Sequence, residues 1–369
     1  MKILYITTIG GTMIFFKSFV QSLLDKGHTV DIACNETDNE VLQYYRERNC
    51  RVYAISCERS PFSANNIKAV KEIKQLVKEN RYDIVHCHTP VAGACTRFAC
   101  RSLRKNGTKV FYTAHGFHFY KGAPLKNWMI YYPVEKLCSR FTDVIITINK
   151  EDYEFAGRKL KAPRVEGIPG VGINVDRFKN AVADRSEKRN EIGIPEDALL
   201  LFSVGELNKN KNHEVVIRAL AQLNDENVHY MIAGEGYRHD FLIKMSQELG
   251  VADRVHILGY RTDVAELYKI ADIDVFPSLR EGFGLASIEG MAAGLPLVCE
   301  DNRGTREYAL NGQNAIVCYA SNADEYAAAI MKLSDEKLRK EYGLAAMKSV
   351  EKFDVSNINK LMNEIYFGS

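Results

Sequence analysis

The sequence predicts an α/β protein built from two Rossmann-like domains facing a central cleft. Three observations carry that expectation. Short apolar runs alternate with amphipathic stretches through the first half of the chain, and the same rhythm restarts in the second half. At 369 residues the chain is too long for one ordinary domain and comfortable for two. Between the halves, residues 161–197 are rich in proline, glycine and charge and carry no sustained apolar period, which places the hinge there.

The elements follow in order. Lys2–Thr7 is a short apolar run, Gly10-Gly11 a turn, and Phe15–Asp25 an amphipathic helix closed by Gly27. Strand Thr29–Cys34, helix Glu40–Arg48 and strand Arg51–Ile55 come next, then strands Ile84–Cys87, Lys109–Thr113 and Val144–Ile148 with helical stretches between them. The second run holds strands Leu199–Val204, Val228–Ala233, Val255–Leu258, Ile273–Phe276 and Pro296–Cys299. Its helices are His213–Leu223, Arg238–Leu249, Val264–Ala271 and Leu285–Ala293. The spacing thus predicts domains over 1–170 and 171–355, with a last helix, Ser356–Phe367 within 356–369, crossing back to the first. Parallel sheets of this kind bind ligands at the carboxyl ends of their strands, so functional residues are expected just after strands.

Composition bounds the class. Hydrophobic residues at 46% and charged residues at 26% fit a folded chain, and a net charge of +2 gives no reason to expect nucleic acid. Nine cysteines, an odd number without a C-x-x-C pair, fit reduced thiols in a cytoplasmic protein. No signal peptide and no apolar run long enough for a bilayer are expected. Peripheral membrane contact stays open. Asn66–Asn80 puts Ile67, Val70, Ile73 and Val77 on one helix face with Lys68, Lys71, Lys74 and Lys78 elsewhere, and Arg97, Arg101, Arg104 and Lys105 follow. Both stretches read as solvated faces or as a footprint for anionic lipid.

Several residues could carry chemistry. Gly10-Gly11 between strand and helix suits close backbone approach to a ligand, although it is not a full G-x-G-x-x-G. His86 and His88 fall on one face of their strand, and His115 and His118 follow the next. Four such histidines could bind a metal, but no carboxylate or cysteine cluster accompanies them, so hydrogen-bonded structural histidines and no metal are expected. His115 differs because Gly116 leaves room for a substrate beside it. Asp272-Ile273-Asp274 is a D-x-D at a strand entry, where capping or salt-bridging is the expected role. The strongest signal is Pro277–Pro296: strand end, a loop with Arg280, Glu281, Gly282, Phe283 and Gly284, a helix opening at Leu285 and carrying Glu289, then glycine and strand. Loop amides and a helix N-terminus suit a diphosphate, while carboxylates suit sugar hydroxyls.

That string, with glutamates eight positions apart, resembles the signature of family 4 retaining glycosyltransferases of the GT-B fold. Asp83–His88, His115-Gly116, Gly172–Phe178, Val204-Gly205, Lys211 and Ile232–Gly236 fall where that family has its landmarks. Tyr112–Pro124 with Asn127-Trp128 is similar to the branch serving bacterial capsule and exopolysaccharide assembly. The resemblance implies a UDP-sugar or similar donor on the C-terminal domain, a saccharide or polyprenyl-diphosphate-linked saccharide acceptor on the N-terminal domain, and no cofactor or metal in catalysis. By position it implies His115 and Glu281 at the reacting sugar, Glu289 at the ribose and Lys211 at the diphosphate. Gly11, Gly205, Gly234, Gly236, Gly282, Gly284, Phe283 and Leu285 are then candidates for lining the donor.

One departure stands out. Where the family has an arginine after Val-Gly, this chain has Glu206. A carboxylate ~4 Å from a phosphate would cost about 4 kcal/mol at an effective dielectric of about 20. Glu206 is therefore expected to turn away or to be neutralised by Lys209 or Lys211, with Arg280 a substitute cation. A nucleotide-sugar epimerase and a non-catalytic binding subunit are the alternative functions.

Overall fold

The computed structural model describes residues 1–223, 225–318 and 322–368. The chain divides into two compact units, Met1–Val171 with Ile358–Ser369, and Gly172–Asn357.

Unit 1 is a seven-stranded parallel sheet. Its elements are β1 (Lys2–Ile6), α1 (Lys17–Asp25), β2 (Thr29–Cys34), α2 (Glu40–Arg46), β3 (Val52–Ala54), α3 (Asn65–Asn80) and β4 (Ile84–His88). They continue with α4 (Pro90–Cys100), β5 (Lys109–Ala114), α5 (Leu125–Cys138), β6 (Val144–Thr147), α6 (Lys150–Lys159) and β7 (Arg164–Gly167). The sheet order is β3-β2-β1-β4-β5-β6-β7. Unit 2 begins with two short helices, α7 (Val175–Lys179) and α8 (Arg185–Ile192). Next come β8 (Leu199–Val204), α9 (His213–Leu223), β9 (Val228–Ala233), α10 (His239–Glu248), β10 (Val255–Ile257) and α11 (Val264–Ile270). The unit closes with β11 (Ile273–Phe276), α12 (Leu285–Ala292), β12 (Leu297–Glu300), β13 (Ala315–Cys318), α13 (Ala323–Lys332) and α14 (Glu336–Ser349). Its sheet order is β10-β9-β8-β11-β12-β13, again parallel.

The central strands are buried along their whole length, as β4, β9 and β11 show, because helices cover both faces of a parallel sheet. Burying such apolar runs is the main favourable term holding each unit together. Both sheets reverse direction of growth once, at β1/β4 in unit 1 and at β8/β11 in unit 2. These are the switch points where open α/β sheets leave a crevice for ligand.

The last helix, α15 (Val355–Phe367), has most of its length in unit 1. Its Tyr366 hydroxyl lies 2.5 Å from His86 Nδ1 and 3.1 Å from Tyr5 Oη, and Asn359 Nδ2 donates to Ser18 Oγ at 2.8 Å. Residue 369 lies outside the described residues.

Three points refine the expectations. First, the span 161–197 holds the boundary between the two units and, besides, β7, α7 and α8. These were invisible to periodicity because α8 (sequence RSEKRNEI) is anchored by a buried arginine rather than an apolar stripe. Arg189 donates to the carbonyls of Pro195, Ala198 and Ile270 and pairs with Asp272 at 2.8 Å. Second, Gly10–Phe16 winds as a 3-10 helix, so α1 starts only at Lys17. Third, the basic residues after α3 do not all share one exposed face. Arg97 is fully buried and clamps Glu135 at 2.5 and 3.0 Å, while Arg104 pairs with Asp143.

Candidate active site

In unit 2 the loops leaving β8 and β11 meet at the switch point. Asn212 has φ 52°, a left-handed conformation that asparagine tolerates, and there the chain turns from Lys211 into α9. Lys211 Nζ reaches across to Glu281 Oε1 at 2.7 Å and lies 4.8 Å from the centre of the Phe276 ring. Gly205 makes room for it, since a Cβ there would lie 3.1 Å from Lys211 Cε. The loops are tied by backbone as well: Leu279 N donates to Asn210 O at 2.8 Å, and Asn210 Nδ2 to Arg280 O at 2.9 Å. The Arg280 side chain is exposed and makes no ion pair among the described residues. Glu206 is exposed too. It accepts from Asn208 Nδ2 at 3.0 Å and pairs with neither Lys209 nor Lys211 among the described residues.

The loop glycines have separate reasons. Gly284 caps α12 at φ 90°, and a Cβ there would sit 2.6 Å from Tyr308 Oη, so conformation and space both require glycine. Gly282 is half-buried in the same loop. Gly234 and Gly236 follow β9, but a side chain at either would overlap the backbone of Gly205 or Leu207. Both glycines are thus explained by contact between two strand-end loops, without a ligand. Phe283 is likewise a packing residue: it is buried, edge-on to Tyr308 and Phe353 at 5.9 and 5.3 Å. Leu285, the first residue of α12, is half-buried.

Behind the loop lies an acidic pair that the sequence reading misjudged. Asp272 forms salt bridges as expected, with Arg185 and Arg189. Asp274 does not. It is buried in β11, its Oδ2 has no hydrogen-bond partner among the described residues, and burial followed by the charge of Glu289 pushes its carboxyl well above the usual range. Gly290 follows from Asp274, because a Cβ at 290 would lie 2.5 Å from Oδ2. Glu289 is also held up, to about 7, mainly by burial, with Arg177 opposing the shift. Its carboxyl therefore titrates near neutrality. His213 at the start of α9 is a further residue that pattern reading passed over. It meets Tyr230 Oη at 2.9 Å, and burial keeps it neutral, down to about 3.

In unit 1 the histidines of β4 and β5 form a stack. His86 and His88 rings lie 4.2 Å apart, and His88 Nδ1 is 3.1 Å from His115 Nε2. His86 is held on both sides, by Tyr366 Oη and by Thr113 Oγ1 at 2.7 Å. Burial lowers His115 to about 4 and His86 to about 3, and it holds His88 well below the usual imidazole range, so all three are neutral at physiological pH. The loop after His115 is pinned by Asp152 Oδ2, which accepts from Phe117 N at 3.1 Å. Among the described residues no group of three or more His, Cys, Asp or Glu could hold a metal ion. Gly11 is the second residue of the 3-10 helix after β1, where an added Cβ would meet nothing nearer than Asn39 Nδ2 at 3.6 Å, whereas Gly10 is packed against Glu36 and Leu42.

The comparisons agree with this geometry. Residues 184–349 match the family described as Glycosyl transferases group 1, and residues 2–149 match Glycosyl transferase 4-like. EpsD of Bacillus subtilis (strain 168), which is named as a glycosyltransferase, is 38% identical over 357 residues, covering 95% of this chain and 91% of that one. The UDP-Gal:alpha-D-GlcNAc-diphosphoundecaprenol alpha-1,3-galactosyltransferase of Escherichia coli is 24% identical, covering 84% and 81%. Anabaena Alr3699/HepE, solved in complex with UDP, superposes with a TM-score of 0.83 at 21% identity over 99% of both chains, which shows the shared fold. Two parallel doubly wound sheets, both family matches and a full-length relative agree: this chain belongs to the group 1 and 4-like glycosyltransferases, sugar-transferring proteins of the GT-B fold.

Proposed function

We propose that the chain is a retaining glycosyltransferase that moves a sugar from a UDP-sugar to a lipid-linked saccharide during capsule or exopolysaccharide assembly. The observation that carries this reading is the Lys211–Glu281 pair at the β8/β11 switch point, at the mouth of α12. A cation for the diphosphate and a carboxylate for the sugar hydroxyls stand side by side, next to a helix N-terminus that favours anions. Glu289, one turn further along α12, is the candidate for the ribose.

In this reading the bond from the sugar's anomeric carbon to the diphosphate breaks, and Lys211 meets the charge that grows on the departing UDP. The acceptor hydroxyl forms the new bond and gives its proton to the leaving diphosphate oxygen. Neutral His115, aligned by His88, donates or accepts a hydrogen bond at the sugar without carrying charge. Retention rests on the resemblance of 277–296 to the family 4 signature. A UDP donor is supported by the fold neighbour solved with UDP, and a lipid-linked acceptor by the Escherichia coli relative's name.

The test is incubation with a panel of UDP-sugars and a polyprenyl-diphosphate-linked saccharide, reading the product's anomeric configuration by NMR. A glycosylated lipid with retained configuration is expected. A converted sugar nucleotide would point to an epimerase, and UDP binding without turnover to a binding subunit. An inverted product would end the retaining assignment.

A further inference from the structure

In unit 2 a third loop reaches the Lys211–Glu281 pair. It leaves the end of β12, the strand next to β11, and its turn runs from Asp301 to Thr305. Asn302 fixes the shape of that turn. Its Oδ1 accepts from Gly304 N at 2.9 Å and Thr305 N at 3.1 Å, while its Nδ2 donates to Ser278 O at 2.8 Å. Thr305 Oγ1 donates to Glu300 O at 2.6 Å. Gly304 lies flat on the neighbouring loop, since a Cβ there would sit 2.8 Å from Phe283 O and 2.9 Å from Glu281 Cβ. This fixed turn carries one long cation, Arg303, whose Nε donates to Glu281 O at 3.3 Å.

Arg303 is only 7% exposed. Arginine is seldom withdrawn from water that far unless it meets a partner charge or carbonyl. Two other arginines described in unit 2 are buried, and both serve the opposite edge of the sheet. Arg189 pairs with Asp272, just before β11, and Arg254 donates to Asp225 O at 2.7 Å, just before β9. Of the three, Arg303 is the one at the carboxyl edge, where parallel sheets bind their ligands.

The charges beside it show what such a cation would do. Lys211 is matched by Glu281 at 2.7 Å, and Glu206, just past the end of β8, adds a second carboxylate. One cation against two carboxylates makes these three net negative, so by themselves they would repel a diphosphate. Arg303 offsets the excess. It meets Glu281 through the backbone while Lys211 meets it through the side chain, so both cations border one residue. Arg280 lies in the same loop as Glu281, but it is exposed and would lose rotamer freedom on binding. Arg303 is already held by packing.

We infer that Arg303 is a donor-binding residue: with Lys211 it supplies the positive charge that holds the donor's diphosphate and meets the charge growing on the leaving group. The inference rests on the proposed nucleotide-sugar donor and adds to it a residue outside the 277–296 stretch. A planar guanidinium can donate two parallel hydrogen bonds to a phosphate, and the carboxylate at 206 makes a second cation necessary.

The test is calorimetry with UDP and NMR titration with uridine, on the full chain and its variants. Arg303→Gln should weaken UDP by about tenfold to a hundredfold and leave uridine unchanged, because a nucleoside has no phosphate to lose a charge-assisted bond. Arg303→Lys keeps the charge and should lose less. Glu206→Gln placed on Arg303→Gln should recover much of the loss, because it removes the carboxylate that Arg303 offsets. UDP and uridine weakened alike would mark a residue that only shapes the loop, and would overturn the inference. So would unchanged UDP affinity in Arg303→Gln, an equal loss in Arg303→Lys, or a larger loss in Arg280→Gln, the last giving the role to Arg280. Failure of the donor reading looks different. A wild-type chain that ignores UDP but binds GDP or dTDP changes the donor, and Arg303→Gln should then weaken that nucleotide by the same factor. If the variants behave as expected and no sugar reaches any acceptor, the inference stands and the transferase reading falls.

Discussion

Replacing Glu289 with glutamine removes a carboxyl that burial holds at about 7 against 4.5 for an unperturbed glutamate. Between those two values the folded chain keeps a proton that the unfolded chain has lost. Stability therefore falls as pH rises from about 4.5 to about 7, and is flat above that window. The difference corresponds to about 3 kcal/mol lost by pH 8 and nothing lost below pH 4.5. Glutamine keeps the shape and cannot ionise, so the variant lacks this slope. Urea unfolding of wild type and variant at about pH 5 and about pH 8 should show near-equal stability at the lower pH and a more stable variant at the higher one. UDP affinity should move the other way, because an amide offers the ribose one acceptor where a carboxylate offers two, a trade of binding for stability. A stability gap that is the same at both pH values would refute the argument and show that the Glu289 carboxyl is solvated in the folded chain.

Four other outcomes are expected. Lys211→Ala should weaken UDP by about 1.5–3 kcal/mol in calorimetry, as loss of a charge-assisted bond to phosphate implies. Glu281→Gln, which releases Lys211 from its partner, should leave UDP binding intact and lower turnover; equal loss of UDP affinity in both variants would show that they do not divide the work. His115→Ala should reduce kcat much more than UDP affinity, and a variant that keeps its rate but no longer binds UDP would contradict its place at the reacting sugar. Gly290→Ala should cost about 1–3 kcal/mol by driving a methyl into Asp274, and Asp274→Ala on that background should recover most of the loss; a neutral single variant in thermal melts would refute the contact.

Much of the fold could be read from the chain because parallel strands buried on both faces are continuous apolar runs. Leu199–Val204, Val228–Ala233 and Ile273–Phe276 have the bounds their pattern predicts. What escaped was held by other forces. α8 docks through hydrogen bonds from Arg189, and β13 is four residues long with only its two ends buried, so neither shows a periodic apolar signal. At the site, residue types named the chemistry but not the partners. That Lys211 and Glu281 face each other, 70 positions apart, depends on two loops leaving neighbouring strands. Asp274 carried a signal that was read the wrong way: an acid in the middle of an apolar strand, opposite a glycine in the following helix, announces a buried carboxyl rather than a cap.

The hydrogen bond between His86 and Tyr366 spans 280 residues of sequence. At ribosomal speeds of about 5–20 residues per second, roughly 15–60 s separate the synthesis of its two ends. During that interval the nascent first unit has a finished sheet but no hydroxyl for the imidazole of β4 and no aromatic ring packed edge-on against Phe19 and Phe111. Helix α15 is thus a seal applied long after the sheet it covers has been made, and the first unit is vulnerable while it waits. Ribosome-bound chains halted before Val355 should be cut in unit 1 by protease faster than released full-length chains; equal protection would show that the unit closes without its final helix.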